Sequence, residues 1–415
     1  MKRVAATLLV LVLAYVPAAR AQPSPLLHAP AAFETKLVRS ERHADPLEPP
    51  PAELFSIVHY PTPIGPMSAY LGKPARPGGK SPAILWITGG FHPGGVDSSA
   101  WSPPDLENEQ SAQAYRHAGI VLMYPTMRGS FGNPGAQESF FGEVDDVLAA
   151  LEYLSKVDGV DPGRIYLGGH STGGTLALLV AAATDRFRAV FAFGPVGDPA
   201  GYGADNLTYD PDEKRENQLR SPIHFLASIR SRTFVIEGTG GNIESLRDLE
   251  RVSRNDALRF LAVDGVDHFE VLGPVNDLIA GKIAGGGDFD LDAEELAGAC
   301  RAARLEARRA EVGQALEALR AKGFDLEVEH PVRYALLSWT HDGLDSAAKE
   351  AAKAGFEPGE IDRTENDEGK TYFLLVLTRA MVPRDEEALV AGLSSAADLA
   401  DRHDVGLGGW WVDEE

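Results

Sequence analysis

Short apolar runs closed by glycine or proline alternate with stretches of helical spacing over most of the chain. Phe55–Tyr60 and Met67–Leu71 face each other across a Pro-Gly turn and read as paired strands. Ser81–Thr88 is a buried strand that runs into the glycine-rich Gly89–Gly95. Glu107–Ala118 reads as a helix, Gly119–Tyr124 as the strand after it, and Gly142–Val157 repeats apolar residues at helical spacing. Arg164–Leu167 is a strand and Thr175–Ala183 a buried helix, with further strands at Ala189–Phe193, Thr233–Ile236 and Leu258–Val263. Unbroken apolar strands separated by helices predict an α/β fold, a doubly wound and mostly parallel sheet covered on both faces.

The pattern changes after Gly285-Gly286-Gly287, and residues 288–322 read as a linker followed by a long helix, Asp292 to Ala321. Beyond it come a strand at Tyr334–Trp339, a helix at Leu344–Ala354, strands at Phe356–Ile361 and Tyr372–Thr378, a helix at Glu386–Arg402 and a strand at Gly409–Val412. The order βαββαβ predicts a separate α+β domain of ferredoxin-like topology over residues 323–415. Trp410 and Trp411 are adjacent on one strand and must point to opposite faces.

A chain of 415 residues favours two folded units, and 44% hydrophobic with 24% charged residues excludes a disordered one. The net charge of −22 argues against nucleic acid or an anionic membrane as partner. Residues 1–21 have the form of a signal peptide: Lys2-Arg3, an apolar run from Ala5 to Val16, and a small-x-small site at Ala19-Arg20-Ala21. A periplasmic or secreted protein is therefore expected, with no membrane span after signal cleavage. Residues 22–51, rich in proline, alanine and charge, form an extended lead-in to a catalytic domain over 52–287. Cys300 is the only cysteine, so stability must come from the core. No cofactor or metal is expected: no cysteine pair exists, no His-x-x-x-His falls on a predicted helix, and Gly89-Gly90 lacks the Lys-Ser/Thr of a phosphate loop.

The chemistry gathers at Gly169-His170-Ser171-Thr172-Gly173, between a strand and a helix, which fits the nucleophile elbow of α/β-hydrolases. A serine on so sharp a turn needs neighbours without side chains, and the helix that follows aims free N–H groups at a developing oxyanion. The hydroxyl needs a base, and in these folds the order is serine, acid, histidine. His268, after the last predicted strand, is that base. The oxyanion donors are expected to be the N–H of Thr172 and one from Gly90 or Phe91. His170 is expected to pack or line the pocket, as are His92 and Trp101, while Arg128 pairs with Asp145 or Asp146. Asp205–Glu216 reads as a solvated acidic insertion.

From Trp86 to about Ile283 the chain resembles the prolyl oligopeptidase family of serine hydrolases. The resemblance rests on Gly89-Gly90-Phe91, Tyr124–Gly132, Gly142–Asp146, Val160–Ile165 leading into Gly168–Ser171, Gly194–Asp198, Ser221–Ile223 and Gly265–Phe269. It implies a peptidase or esterase acting on a small peptide or ester, without the β-propeller that many members carry. The family's aspartate is replaced here: after Ile236 the chain reads Glu237-Gly238-Thr239-Gly240-Gly241, with glycine where the acid is expected. Glu244, Asp198 and Asn242 are the candidates for its place. If none serves, the alternative is a weak or inactive hydrolase fold that binds a partner through its acidic C-terminal domain. That domain, from about Glu311 to Glu415, is similar to the ribonuclease E regulator B domain through Val312–Lys322, Ala347–Phe356 and Leu399–Asp404 with Gly409-Trp410. The likeness implies a module that binds a protein partner. An exported chain would not meet the cytoplasmic ribonuclease.

Overall fold

The computed structural model describes residues 33–74, 79–91, 98–102, 108–365 and 369–413. Residues 1–21, expected to be a signal peptide, and His92 lie outside the described residues. The chain divides into two compact units, Met1–Ala293 and Glu294–Glu415.

The first unit is built on an eight-stranded sheet of order β1-β2-β4-β3-β5-β6-β7-β8. Its strands are β1 (Phe55–Thr62), β2 (Gly65–Gly72), β3 (Ser81–Ile87), β4 (Val121–Pro125), β5 (Val160–His170), β6 (Val190–Phe193), β7 (Thr233–Gly238) and β8 (Leu258–Val263). The first two pair antiparallel and β2 joins β4 antiparallel; the rest of the sheet is parallel. This is the doubly wound α/β-hydrolase arrangement. Its central strands are apolar on both faces because helices cover both. Along β4, β6 and β7 every residue is buried, and the helix Thr172–Ala183, buried throughout, packs on β5 and β6. The expected helix 107–118 is helical only over Gln113–His117 within the described residues. Helices Ile243–Val252 and Leu272–Gly285, not expected from the sequence, follow β7 and β8; the first packs on those two strands and the second against the helix Gln113–His117.

The lead-in does not stay extended in solvent. Thr35 and the Lys36 amide bond the Glu216 carboxylate at 2.9 and 2.7 Å, and Leu37 bridges Tyr209. The acidic insertion is correspondingly packed: Leu207, Thr208 and Tyr209 are buried, and Arg220, with no exposed surface, pairs with Glu216 at 2.6 Å. Arg220 also donates to Thr35 Oγ1 at 2.7 Å and to the Glu138 carbonyl at 2.8 Å.

The second unit opens with the helix Ala293–Ala321, whose Val312 and Leu316 belong to that unit's core. Its strands are β9 (His330–Ser338), β10 (Glu357–Glu365), β11 (Thr371–Met381) and β12 (Gly406–Val412), in the antiparallel order β10-β11-β9-β12. With helices His341–Ala351 and Glu386–Arg402 as the crossovers this is the ferredoxin-like arrangement. Of the tryptophan pair, Trp410 packs on the core and donates to Glu311 at 2.8 Å, and Trp411 is exposed.

Candidate active site

Ser171 sits between the end of β5 and the helix Thr172–Ala183 with φ 54° and ψ −113°. A non-glycine residue adopts that conformation only where its surroundings force it. Three glycines make it possible. A Cβ on Gly169 would overlap the Gly173 carbonyl, one on Gly173 would overlap Ile87 O, and one on Gly174 would stand about 2.5 Å from Phe193 O. The Ser171 amide donates to Phe193 O at 2.8 Å, which leaves Thr172, first in the helix, with an N–H that has no intrahelical acceptor.

The opposite wall is the turn after β3. Gly90 has φ +105° and open space where a Cβ would stand, a conformation that excludes side chains on backbone grounds. The Thr172 hydroxyl donates to Gly90 O at 2.8 Å, tying this turn to the residue after the serine. Neither the Thr172 nor the Phe91 amide is donated to a protein acceptor among the described residues. Gln110 holds the turn from behind, its Oε1 accepting from Gly89 N–H at 3.1 Å and lying 3.2 Å from His170 Nδ1.

His268, on the loop after β8, reaches back over the sheet. Its carbonyl lies 3.1 Å from His170 Nε2, the two imidazoles are 4.4 Å apart, and its ring lies against Gly194, where any Cβ would overlap it. Gly194 follows Phe193, the residue whose carbonyl holds Ser171. The hydroxyl and the imidazole are thus brought to one end of the sheet from segments far apart in sequence. Among the described residues they share no direct hydrogen bond, a looseness common before substrate binds. His170 is buried, and burial first, then the neighbouring His268, hold its pKa at about 3. The Tyr202 hydroxyl bonds Thr175 Oγ1 at 2.9 Å. Burial pushes its pKa up, with hydrogen bonds to Thr175 and Ser171 opposing the shift.

The acid is where the sequence reading needs correction. Glu244 is exposed on the helix Ile243–Val252 and pairs with Arg247 at 2.6 Å. Asp198 caps the turn Pro199–Tyr202, accepting from Ala200 N at 2.9 Å and Asn217 Nδ2 at 2.8 Å. Asn242 is exposed, in the residue before the helix Ile243–Val252. None of them is hydrogen-bonded to His268. Glu237 is: its Oε2 lies 2.8 Å from His268 Nδ1, its Oε1 accepts from the Gly238 N–H at 2.8 Å, and it is 1% exposed. A Cβ on Gly241 would stand 2.6 Å from Glu237 Oε1 and 2.8 Å from His268 N. Glycine at 241 is what makes room for a carboxylate arriving from the end of β7. The premise of an inactive fold, a histidine without a carboxylate, does not hold. The sequence did carry a signal: a glutamate ending an all-apolar strand must find a partner or pay a large desolvation cost.

Trp101 packs with Phe55 and Tyr70. Arg128 pairs with Asp146, both of whose oxygens it binds, and with Glu138 rather than Asp145. A cavity of about 80 Å³ lies beside the turn after β3, lined among others by Gly90, Phe91, Thr172 and Gly173.

Two family models match separate stretches of the chain. The prolyl oligopeptidase family model matches residues 107–240, and that for regulator of ribonuclease activity B matches residues 309–412. Over 99 residues the chain is 32% identical to the regulator of ribonuclease activity B of Alteromonas mediterranea, covering 23% of this chain and 73% of that protein. Over 198 residues it is 29% identical to an uncharacterized protein of Mycobacterium tuberculosis, covering 47% of this chain and 66% of the other. Over 122 residues it is 32% identical to 4-O-methyl-glucuronoyl methylesterase of Neurospora crassa, covering 29% of this chain and 30% of the esterase.

Proposed function

With a C-terminal segment that belongs to the regulator of ribonuclease activity B family and a prolyl oligopeptidase match before it, we propose an exported serine hydrolase acting through an acyl-enzyme on Ser171. The observation that carries this reading is the 2.8 Å contact of His268 Nδ1 with the buried Glu237 carboxylate, beside the strained serine turn. The carboxylate fixes the proton on Nδ1 and leaves Nε2 bare to accept the serine proton. Ser171 Oγ attacks the substrate carbonyl as Nε2 takes that proton, and the amides of Thr172 and of the Gly90–Phe91 turn receive the negative charge. The imidazolium then gives its proton to the leaving amine or alcohol. Water, deprotonated by the same nitrogen, releases the acid and restores the serine.

A peptide and an ester both suit this sequence of steps. The terminal domain is proposed to bind a protein partner, and the residue 1–21 leader to place the chain outside the cytoplasm. A fluorophosphonate probe on the folded protein should label Ser171 and fail with Ser171→Ala. Absence of labelling in folded wild type would remove the hydrolase reading. Mass spectrometry of the exported protein should find Gln22 as the first residue; an intact leader would remove the proposal of cleavage.

A further inference from the structure

The catalytic steps leave the Tyr202 hydroxyl without a task, although it stands beside the serine turn. Tyr202 ends the short turn Pro199–Tyr202, which Asp198 caps by accepting from the Ala200 N–H at 2.9 Å. Asn206 Nδ2 donates to the Tyr202 carbonyl at 2.9 Å. The ring meets Phe91 edge to face at 5.0 Å and stacks on Phe140 at 6.0 Å. Backbone and ring are both fixed, so the phenol is aimed at one spot.

The protons at that spot can be counted. A threonine hydroxyl has one proton and two lone pairs. Thr175 Oγ1 lies 3.2 Å from Ser171 O, a carbonyl that can only accept, and 3.0 Å from the Val196 N–H, which can only donate. Thr175 therefore gives its proton to the Ser171 carbonyl and receives one from Val196. Its remaining lone pair meets the Tyr202 hydroxyl at 2.9 Å, so the tyrosine is the donor in that pair. Having given its proton there, the Tyr202 oxygen can only accept. Its hydrogen bond with the Ser171 side chain must then carry the serine proton. Burial pushes the phenol pKa up, so the tyrosine stays protonated and receives that bond without acting as a base. A hydroxyl aimed at Tyr202 cannot also point at His268, whose ring bonds Glu237 and shares no hydrogen bond with Ser171 among the described residues.

We propose that Tyr202 is a positioning residue that holds the Ser171 proton off His268 while the site is empty. The proposal rests on the hydrolase reading, in which that proton must pass to the imidazole as the oxygen attacks. An entering substrate exchanges one hydrogen bond for the other by a rotation about the Ser171 Cα–Cβ bond, with no covalent bond made or broken. The resting serine is thereby less reactive than the bare pair of serine and imidazole would be.

Tyr202→Phe keeps the ring contacts with Phe91 and Phe140 and removes only the oxygen. A fluorophosphonate should label Ser171 in this variant about two- to tenfold faster than in wild type, the range of one net hydrogen bond lost from the ground state alone. A tyrosine that served only the packing would, when cut back, slow labelling or leave it unchanged. The second readout is the His268 Nε2 resonance by nitrogen NMR on protein carrying isotope-labelled histidine, assigned with His268→Gln and read at about pH 9, where imidazole is uncharged. In otherwise wild-type protein Ser171→Ala should leave that resonance in place, because the serine proton is not on it. In Tyr202→Phe the same change should move it. Labelling no faster in folded Tyr202→Phe, or a resonance displaced by Ser171→Ala alone, would each overturn the hold. Should Tyr202→Phe not fold, wild type against Ser171→Ala still decides: an unmoved resonance supports the hold and a displaced one removes it. Absence of labelling in wild type would remove the hydrolase reading, whereas the resonance needs no turnover, so the two failures are told apart.

Discussion

Replacing Glu237 with glutamine is the sharpest test of how the imidazole is held. Glutamine has the same shape, and its oxygen can keep the Gly238 N–H that Glu237 Oε1 accepts at 2.8 Å. Its other terminus then presents an NH₂ to His268 Nδ1, where Oε2 stood at 2.8 Å. The ring must turn that nitrogen into an acceptor and carry its proton on Nε2, the atom needed to deprotonate Ser171. In a serine triad, a carboxylate-to-amide change of this kind lowers kcat by about 10⁴. At about 1.4 kcal/mol per tenfold, that is about 5.5 kcal/mol of transition-state stabilisation. The fold should survive, because an uncharged amide replaces a buried charge without loss of volume. The assay is acylation by p-nitrophenyl acetate, followed by its burst and steady state, beside a thermal melt. Glu237→Gln should acylate about 10³–10⁴-fold more slowly than wild type at neutral pH while melting within a few degrees of it. A folded variant that keeps more than a tenth of the wild-type rate would refute the role given to Glu237. A large loss in Asp198→Asn or Glu244→Gln instead would move the acid elsewhere.

Three further outcomes follow from the same geometry. Gly241→Asp should cripple acylation nearly as much, because the new Cβ stands 2.6 Å from Glu237 Oε1. Adding Glu237→Ala should not restore the rate, because the overlap of that Cβ with the His268 backbone N at 2.8 Å remains; a recovery of about tenfold in the double variant would refute this. Thr172→Val keeps the backbone amide but loses the 2.8 Å bond to Gly90 O, so kcat should fall about tenfold with the melt nearly unchanged; an unaltered kcat would show that the turn holds itself. Burial lifts the Glu143 pKa from 4.5 to about 7, with Arg128 opposing and Asp146 reinforcing the shift. Since the folded chain then holds a proton that the unfolded chain has released, stability falls as pH rises through that window, by up to about 3 kcal/mol. Urea unfolding of Glu143→Gln should gain on wild type between pH 5 and 8; a constant difference would refute the shift.

The serine and the histidine were legible because each is set by local sequence: a glycine-spaced turn after an apolar strand, and a histidine after the last one. The βαββαβ order of the terminal domain was legible for the same reason, through changes of period. The acid was not. Glu237 looks like the polar end of an apolar strand, and its role depends on a glycine at 241 whose effect is to leave space, which no periodicity displays. The cavity at Glu143 was hidden because its walls come from the β3 turn, the Met127–Phe140 region, two helix starts and Asn206. The packing of residues 35–38 was also missed, since it pairs a proline-rich stretch with partners more than 150 positions away.

That last pairing reaches farther than its few contacts suggest. Thr35 Oγ1 receives Arg220, Arg220 grips the Glu138 carbonyl, and the amide of the same Glu138 holds the Glu143 carboxylate. The segment around residues 35–38 therefore works as a guy-line: cut ahead of residue 39, it would slacken the seat of a buried carboxylate on the helix that packs against Thr172–Ala183. A nick made there by a foreign protease would loosen that helix start without touching any group proposed to make or break a bond.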